Sequence, residues 1–485
     1  MQKNTNQAPQ RRANAIERAG VETLDDAERL SEPRDVTRML IGANLALSIA
    51  VFGWLPIAYG LGFWASLSAA VAGTLVGAVF IAPMALVGHR AATNNSVASG
   101  LTFGVLGRLI GSVIGLLLCL GYTALTVWTG GEAIVAAFSR LTGSESGPEI
   151  AALAYGLIGL GVTASAIYGY RHLLRLNGAI IGAVGLALAL GLPAYWQSFD
   201  TAYAGDPEAL LLGEFWPTWL LAALTAGVSG PVSYATLLGD WTRYVRPGRS
   251  SSSLLWATGI GLTLGLLIPT VFGIASAVAT LGDPDRSYVT GLVLDAPAWY
   301  VPVLLFAAVV GSFGQAGVNL YSMGLDLDAI FPRLTRLQAT ILVAAISIGL
   351  VYLGAFVWSA ETAVTNFVLL LTSFAVPWAS LTMLGLRLSR QEIDKDALQV
   401  FNRGARGGRY WYWRGWSINA TLAWLAGSTA GLMANATESF TGPIAIAAGG
   451  IDLSVPLSAA VAAGMFLILE HLNPRAIGAG SGEIK

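Results

Sequence analysis

From residue 36 onward the chain alternates between long, charge-poor apolar runs and short polar connections. The runs fall at 36–62, 64–88, 105–138, 150–170, 175–197, 215–239, 254–281, 298–325, 338–359, 362–386, 416–436 and 453–470. Each comes close to or exceeds the roughly 20 residues that a helix needs to cross a bilayer. The charge-free stretch 39–88 is too long for one crossing, and Gly60-Leu61-Gly62 divides it. None of the runs alternates apolar and polar at every second residue, as a barrel strand would. With no water in the bilayer core to satisfy backbone groups, helix is the expected form. The pattern therefore predicts an all-α integral membrane protein of about twelve transmembrane helices. It divides into a polar N-terminal tail (1–35), a core of spans one to ten (36–388), a long polar connection (389–415), spans eleven and twelve (416–470) and a C-terminal tail (471–485).

Charge placement supports that count. With the N-terminal tail inside and the sides alternating, all of the 27 Lys and Arg residues except Arg140 and Arg286 fall on the inner side. The outer connections are acidic, with Asp200, Asp206, Glu208 and Glu214, then Asp283, Asp285 and Asp295, then Glu361, Glu438 and Asp452. One span missed early would scramble this asymmetry, so the positive-inside rule predicts cytoplasmic termini in a plasma (inner) membrane. On this reading nearly all the arginines need no role beyond topology and headgroup contact. Tyr410-Trp411-Tyr412-Trp413 reads as an interfacial anchor ahead of span eleven. Only 11% of residues are charged, against about 25% in soluble domains, too few to cover a water-soluble fold of this size. The polar start of the chain does not resemble a signal peptide, so the first span is expected to be retained.

Several chemistries are excluded. The net charge of −1 offers no general field for nucleic acid. Lys3, Lys395 and Lys485 are the only lysines, and none follows a glycine-rich phosphate loop. His89, His172 and His471 lie in separate connections without metal-ligand spacing, so no metal or other cofactor is expected. Cys119 is the single cysteine; it rules out a disulfide within the chain and suits packing. No HExxH or GxSxG motif is present. An enzyme or a channel with a charged pore lining is therefore less well supported than a transporter of a small solute, with no obligate protein partner evident.

Three features carry candidate chemistry. Span one contains Gly53, Pro56 and Gly60, and span six contains Gly227, Gly230 and Pro231. Interruptions at corresponding positions of two halves point to a binding site at the membrane midplane, although ordinary glycine packing would also produce them. In span three, Tyr122 and Thr126 share one helical face, an arrangement suited to stacking a flat heterocycle and bonding its edge; packing, with the threonine bonding its own backbone, is the competing reading. In span eight, Gln315 and Asn319 share a face. Two amides there are costly unless paired, and they serve equally as substrate contacts or as glue between helices. Glu132 is a lone acid in the outer part of span three and reads as interfacial.

Several stretches resemble the nucleobase:cation symporters of the cytosine/purine permease type. They are the tail 16–36, GANLALSIAVFGW (42–54), GYTALTVWTGG (121–131), SYATLLGDWTRYVRP (233–247) and GVNLYSMGLDL (317–327). The resemblance implies a LeuT-type fold, two inverted five-helix repeats plus two further helices. It also implies symport of a nucleobase or a related planar N-heterocycle, with a coupling cation; an amino-acid or organic-cation symporter on the same fold is the alternative. By the same resemblance, stacking aromatics fall on Tyr122 and Tyr234, and polar contacts on Ser48, Thr126 and Asn319, with Gln315 beside them. The family more commonly has Trp at both aromatic positions. The sodium site of sodium-coupled members maps to carbonyls near Leu47 and Ala50 and to span eight around Gly311 and Ser312. Their adjacent pair of span-eight hydroxyls is missing here, so the expected ion is a proton rather than sodium.

Overall fold

The structure, a computed structural model, describes residues 20–144, 146–280, 286–356, 360–389, 393–437 and 440–474, with backbone alone for 360–369. The tail ends 1–19 and 475–485, the acids Asp283, Asp285 and Glu438, and the Glu361 side chain lie outside the described residues. The described residues are helical, with isolated bridges and no strand.

Span one is a bent pair, α1 (Pro33–Asn44) and α2 (Leu47–Ala58), at 65° to each other. Span two is α3 (Phe63–Ile81) and α4 (Met84–Ala91). Spans three, four and five are α5 (Leu109–Thr142), α6 (Pro148–Ile167) and α7 (Tyr170–Tyr195). Span six comes in pieces: α8 (Phe215–Ala222), a π-helical segment (Ala223–Val228), α9 (Ser229–Ser233) and a short helix Leu238–Thr242. Span seven is α10 (Ser251–Ala279). A short helix α11 (Tyr288–Asp295) precedes spans eight and nine, α12 (Val301–Ile330) and α13 (Arg336–Phe356). Spans ten to twelve are α14 (Ala360–Leu388), α15 (Ile418–Met433) and α16 (Ser454–Leu472). Among the described residues, eight helices are long and apolar enough to cross a membrane, and the bent pair makes nine. The other three predicted spans are also helical: the sixth is broken, the tenth is α14, and the eleventh, α15, has only 16 residues.

The packing carries an internal symmetry. Span one lies along span seven as span six lies along span two, and spans three and eight pack tightly against each other. These are equivalent pairs when spans one to five are matched to spans six to ten. Glycines make both crossings possible. A Cβ on Gly53 would lie 2.0 Å from the Thr270 carbonyl oxygen, and one on Gly273 would lie 2.0 Å from that of Ala50. At the equivalent crossing, a Cβ on Gly227 would lie 2.5 Å from Gly73 Cα. Without a hydrophobic driving force between helices in lipid, such close backbone approach is a main source of association.

Both breaks differ from expectation. Span one opens at Leu45–Ala46, not at Gly53, Pro56 or Gly60; Pro56 lies within α2 and Gly53 is a packing residue. Asn44 stabilises the break: its Nδ2 donates to the Leu40 carbonyl (2.7 Å), and Ala46 N bonds the Asn44 carbonyl (2.8 Å). Span six also differs: Pro231 has no N–H for the Gly227 carbonyl, and a π-helical segment takes up the misfit just before it, but the chain stays helical through Gly227, Gly230 and Pro231 and leaves the helix only after Ser233, at 234–237.

Residues 20–32 fold onto the basic end of the bundle and meet the 393–415 connection there, with Gln399 Nε2 donating to the Val21 carbonyl (3.0 Å). This corrects the reading of several arginines as topological markers. Arg29, Arg108, Arg243 and Arg336 are buried, and each bonds named carbonyls or side chains. The aromatic run at 410–413 is also not a simple interfacial anchor. Tyr410 is buried, Tyr412 donates to the Leu101 carbonyl (2.8 Å), and Trp413 is the one ring of the four that is largely exposed. The aromatic rings of this otherwise polar connection gain more by covering the bundle end than by lying in lipid.

Candidate functional site

The two interrupted spans meet spans three, seven and eight around a closed cavity. Its walls include Asn44 and Phe52 of span one, Tyr122 of α5, Ser229 and Tyr234 of span six, and Gln315 and Asn319 of α12. About 20 Å³ is open to the centre of a water molecule, room for roughly one water. A substrate must therefore expand the cavity, as expected of an occluded conformation.

Four of the six expected substrate contacts line this cavity: Tyr122, Tyr234, Gln315 and Asn319. The Tyr122 ring leans on Phe52, with centroids 6.0 Å apart and planes at 36°. Its hydroxyl lies beside the Ser229 and Ser233 hydroxyls without a well-directed hydrogen bond. Tyr234 donates to Asn44 Oδ1 (2.8 Å) and packs on Trp241. Asn319 Nδ2 is buried and has no hydrogen-bond partner among the described residues. An unpaired buried amide costs about 1–3 kcal/mol, a cost that a polar ligand would relieve.

The other two, Ser48 and Thr126, stand behind the cavity. Thr126 Oγ1 sits 2.7 Å from the Tyr122 carbonyl oxygen, 3.0 Å from Gln315 Oε1 and 3.2 Å from Ser48 Oγ. Ser48 Oγ donates to Gln315 Oε1. These hydroxyls engage the oxygen of the Gln315 amide, so its Nε2 donors are the groups left to face the cavity. The single Thr126 proton is thus shared between its own backbone, the competing reading of the sequence, and the Gln315 oxygen, which Ser48 holds in place. The cavity therefore offers amide N–H donors from α12 and hydroxyls from span six across a space flanked by Tyr122 and Tyr234.

The cation positions are rearranged. Gly311 lies against the Leu45 carbonyl: a Cβ there would be 2.5 Å from that oxygen. Leu45, not Leu47 or Ala50, supplies the span-one carbonyl that faces α12 at the break, and the Ala50 carbonyl faces Gly273 of span seven instead. The Ser312 hydroxyl donates back to the Ala308 carbonyl (2.6 Å) and lies 3.3 Å from the Thr126 carbonyl oxygen, turned toward α5. Glu132 accepts from Ser287 and from Thr290 Oγ1 (2.8 Å), tying the start of α11 to α5 at the acidic end.

Asn44 stood among the residues that carry the family resemblance but was given no site role, and sequence reasoning missed Cys119 and the Ser229/Ser233 pair. Cys119 is three residues before Tyr122, and the serines flank Gly230-Pro231 four residues apart. Both were visible as neighbours of features already chosen.

Comparison with known proteins shows the family and the fold. The model of a family described as permeases for cytosine/purines, uracil, thiamine and allantoin matches residues 23–457. YxlA of Bacillus subtilis (strain 168), assigned as a purine-cytosine permease, is 23% identical over 470 residues, covering 95% of this chain and 96% of that protein. Among solved structures, the fold is similar to Mhp1, a nucleobase-cation-symport-1 family transporter, in a closed conformation with bromovinylhydantoin bound (TM-score 0.70, 18% identity, 94% of this chain and 96% of that one). The inward-facing conformation of Mhp1 matches less well (TM-score 0.61, same identity and coverage). A Na+-coupled sialic acid symporter in an outward-open state also shares the fold (TM-score 0.57, 12% identity, 92% of this chain and 91% of that one).

Proposed function

We propose that this chain, which belongs to the family of permeases for cytosine/purines, uracil, thiamine and allantoin, imports a nucleobase or a planar N-heterocycle of that size across the plasma (inner) membrane, in symport with protons. The observation that carries the reading is the closed cavity between the two interrupted spans, with Tyr122 and Tyr234 for a flat ring and the amides of Gln315 and Asn319 for its edge. A nucleobase edge alternates acceptors and donors, and an amide can meet either. Transport follows from alternating access: one repeat rocks against the other around the fixed site, opening the cavity to one side at a time. The basic end, which holds residues 20–32 and the 393–415 connection, is assigned to the cytoplasm by the positive-inside rule.

The proton assignment rests on what surrounds the span-one break. Ser312 is the only hydroxyl of α12 near Gly311, and it is turned away from the Leu45 carbonyl. A sodium site needs several oxygen ligands, as hard cations do generally. The test is uptake of labelled cytosine, uracil, purines and hydantoins into proteoliposomes under separately imposed pH and sodium gradients. Accumulation of at least one compound driven by the pH gradient is expected. Accumulation that collapses when choline replaces sodium at a fixed pH gradient would overturn the coupling, and no uptake of any of them would overturn the substrate class.

A further inference from the structure

Beneath the substrate cavity, toward the basic end, two aspartates are buried together. The polar face of α12 that carries Gln315 and Asn319 continues through Ser322 to Asp326 at helical spacing. Asp326 is 3% exposed and Asp240, from the short helix Leu238–Thr242, is 2% exposed; the helix Asn95–Ala98 links them, since Gly239, beside Asp240, packs directly against Asn95, the neighbour of Ser96. Ser96 Oγ donates to Asp326 Oδ1 (2.8 Å). The other Asp326 oxygen occupies the place that a side chain at Gly115 of α5 would need, since a Cβ there would lie 2.2 Å from Oδ2. One turn above Gly115 on the same face is Cys119, which lines the substrate cavity and senses both carboxyls.

The site is under-bonded. Asp240 Oδ1 and Thr236 Oγ1 are buried with no hydrogen-bond partner among the described residues, and Thr236 packs against the same point beside Gly115 that Asp326 Oδ2 occupies. Ser322 faces Asp240 without a well-directed bond. The titratable and charged groups that face the pair are Cys119 on α5 and Arg243 on span six. The Arg243 guanidinium donates to the Gly20 carbonyl (2.6 Å) and to the Tyr321 hydroxyl (3.1 Å). The residues of helix Asn95–Ala98 carry no titratable side chain. Asp328, on another face of α12, accepts from Val21 N (3.3 Å). Two carboxylates in one buried site cannot both stay ionised cheaply; a shared proton removes the repulsion and gives one oxygen a hydrogen to donate.

We propose that Asp326 and Asp240 together bind one exchangeable proton and are the coupling site of this transporter. The inference rests on the proton-symport reading above and names the groups that carry it. The proton enters with substrate from the outer side through the cavity, past Cys119. It leaves to the cytoplasm when the segment 20–32 that covers Arg243 and Asp328 moves away. With the proton bound, the pair keeps one negative charge, which the nearby Arg243 offsets, and span six can close on α12; without it, two carboxylates push these spans apart.

The test has two arms. Infrared difference spectra of the purified protein in water and deuterium oxide, without substrate, should show a protonated-carboxyl stretching band that is lost in Asp326→Asn and in Asp240→Asn. The band's persistence in both variants would overturn the proposal whatever the substrate is. In proteoliposomes, Asp326→Asn mimics the protonated state. It should lose accumulation driven by a pH gradient and the accompanying proton uptake, while exchange of labelled for unlabelled substrate, which needs no net proton movement, persists. Accumulation by Asp326→Asn with proton uptake as in the unsubstituted protein would overturn the proposal. So would accumulation that follows the sodium gradient alone. Absence of uptake by the unsubstituted protein would instead refute the substrate reading and leave the infrared arm to decide.

Discussion

The two ends of the bundle are closed by different means. At the acidic end a vestibule of about 790 Å³ reaches inward past Asp206, Arg286 and Asp295 to Trp54 and Tyr288. There the closure is thin: the Trp54 and Tyr288 rings stack with centroids 6.1 Å apart, and α11 is held at its two ends by Glu132 and by Arg140, which donates to the Val293 and Leu294 carbonyls (2.5 and 2.8 Å). At the basic end residues 20–32 fill the corresponding space. Arg29 donates to the Arg243 carbonyl (3.0 Å), the His89 carbonyl (2.7 Å) and His89 Nδ1 (3.0 Å). Thr93 donates to the Val21 carbonyl (2.6 Å), and Leu24 N to the Ala92 carbonyl (2.9 Å). Burial presses the Arg29 guanidinium below its ordinary value, partly offset by Asp26; these bonds hold the cation in place of water. The contrast shows that opening inward means breaking a specific polar network, whereas opening outward means parting two rings and a short helix.

The largest expected effect comes from breaking the thick closure. Hydrogen bonds to a charged donor contribute about 1.5–3 kcal/mol each, so Arg29→Ala should weaken inner closure by roughly 2–4 kcal/mol, about 30- to 700-fold in the closed-to-open ratio. Cys119, the single cysteine, lies buried in the cavity wall and serves as a built-in reporter. In inside-out vesicles its rate of labelling by a maleimide should rise by that order; an unchanged rate at equal protein level would show that 20–32 is not the seal. Next in size is the cavity itself. Asn319→Ala should weaken substrate binding about 5- to 150-fold, at roughly 1–3 kcal/mol for a lost polar partner. Tyr122→Ala should be severe and Tyr122→Phe mild if stacking dominates, read out by equilibrium binding to purified protein. Thr126→Val removes only the support behind Gln315 and should cost about 2- to 12-fold, or 0.5–1.5 kcal/mol. An effect of Thr126→Val as large as that of Asn319→Ala would mean that Thr126 touches substrate directly. The smallest change belongs to the thin closure: Glu132→Gln keeps an oxygen for Thr290 and should shift outer labelling of Cys119 by no more than about 0.5 kcal/mol, near twofold.

Most of the fold was legible because the bilayer leaves the chain few choices, and apolar length alone locates the spans. What hydropathy could not show is where a helix ends within a polar, protein-buried environment. The predicted sixth and eighth spans stop at 239 and 325, one residue before Asp240 and Asp326, so both acids looked like loop residues; α12 in fact runs to Ile330. The break in span one was assigned to Gly53 and Pro56 because glycine and proline are the usual signals, but Asn44 made it by bonding its own helix at Leu40. Tyr122, Thr126, Gln315 and Asn319 were found by spacing and Ser48 and Tyr234 by the family resemblance, and their division of labour was not. Ser48 and Thr126 have the same sequence signature whether they meet a ligand or a glutamine, and only the packing of α5 against α12 distinguishes the two. The docking of residues 20–32 left no periodic trace, because it consists of polar contacts with residues far along the chain: Arg29 gives to the His89 and Arg243 carbonyls, while Arg243, Thr93 and Gln399 give to the carbonyls of Gly20 and Val21.

On the proposed function, a planar N-heterocycle binds in the closed cavity between spans one and six. Protection of Cys119 tests it most directly, since that thiol lines the cavity and no second cysteine competes for reagent. The purified protein would be treated with a maleimide in the presence of cytosine, uracil, purines and hydantoins. At least one of them should slow labelling in a saturable way, and Asn319→Ala should shift the protecting concentration upward by about 5- to 150-fold. Labelling that none of these compounds changes, or protection that Asn319→Ala and Tyr122→Ala leave at the same concentration, would contradict that reading.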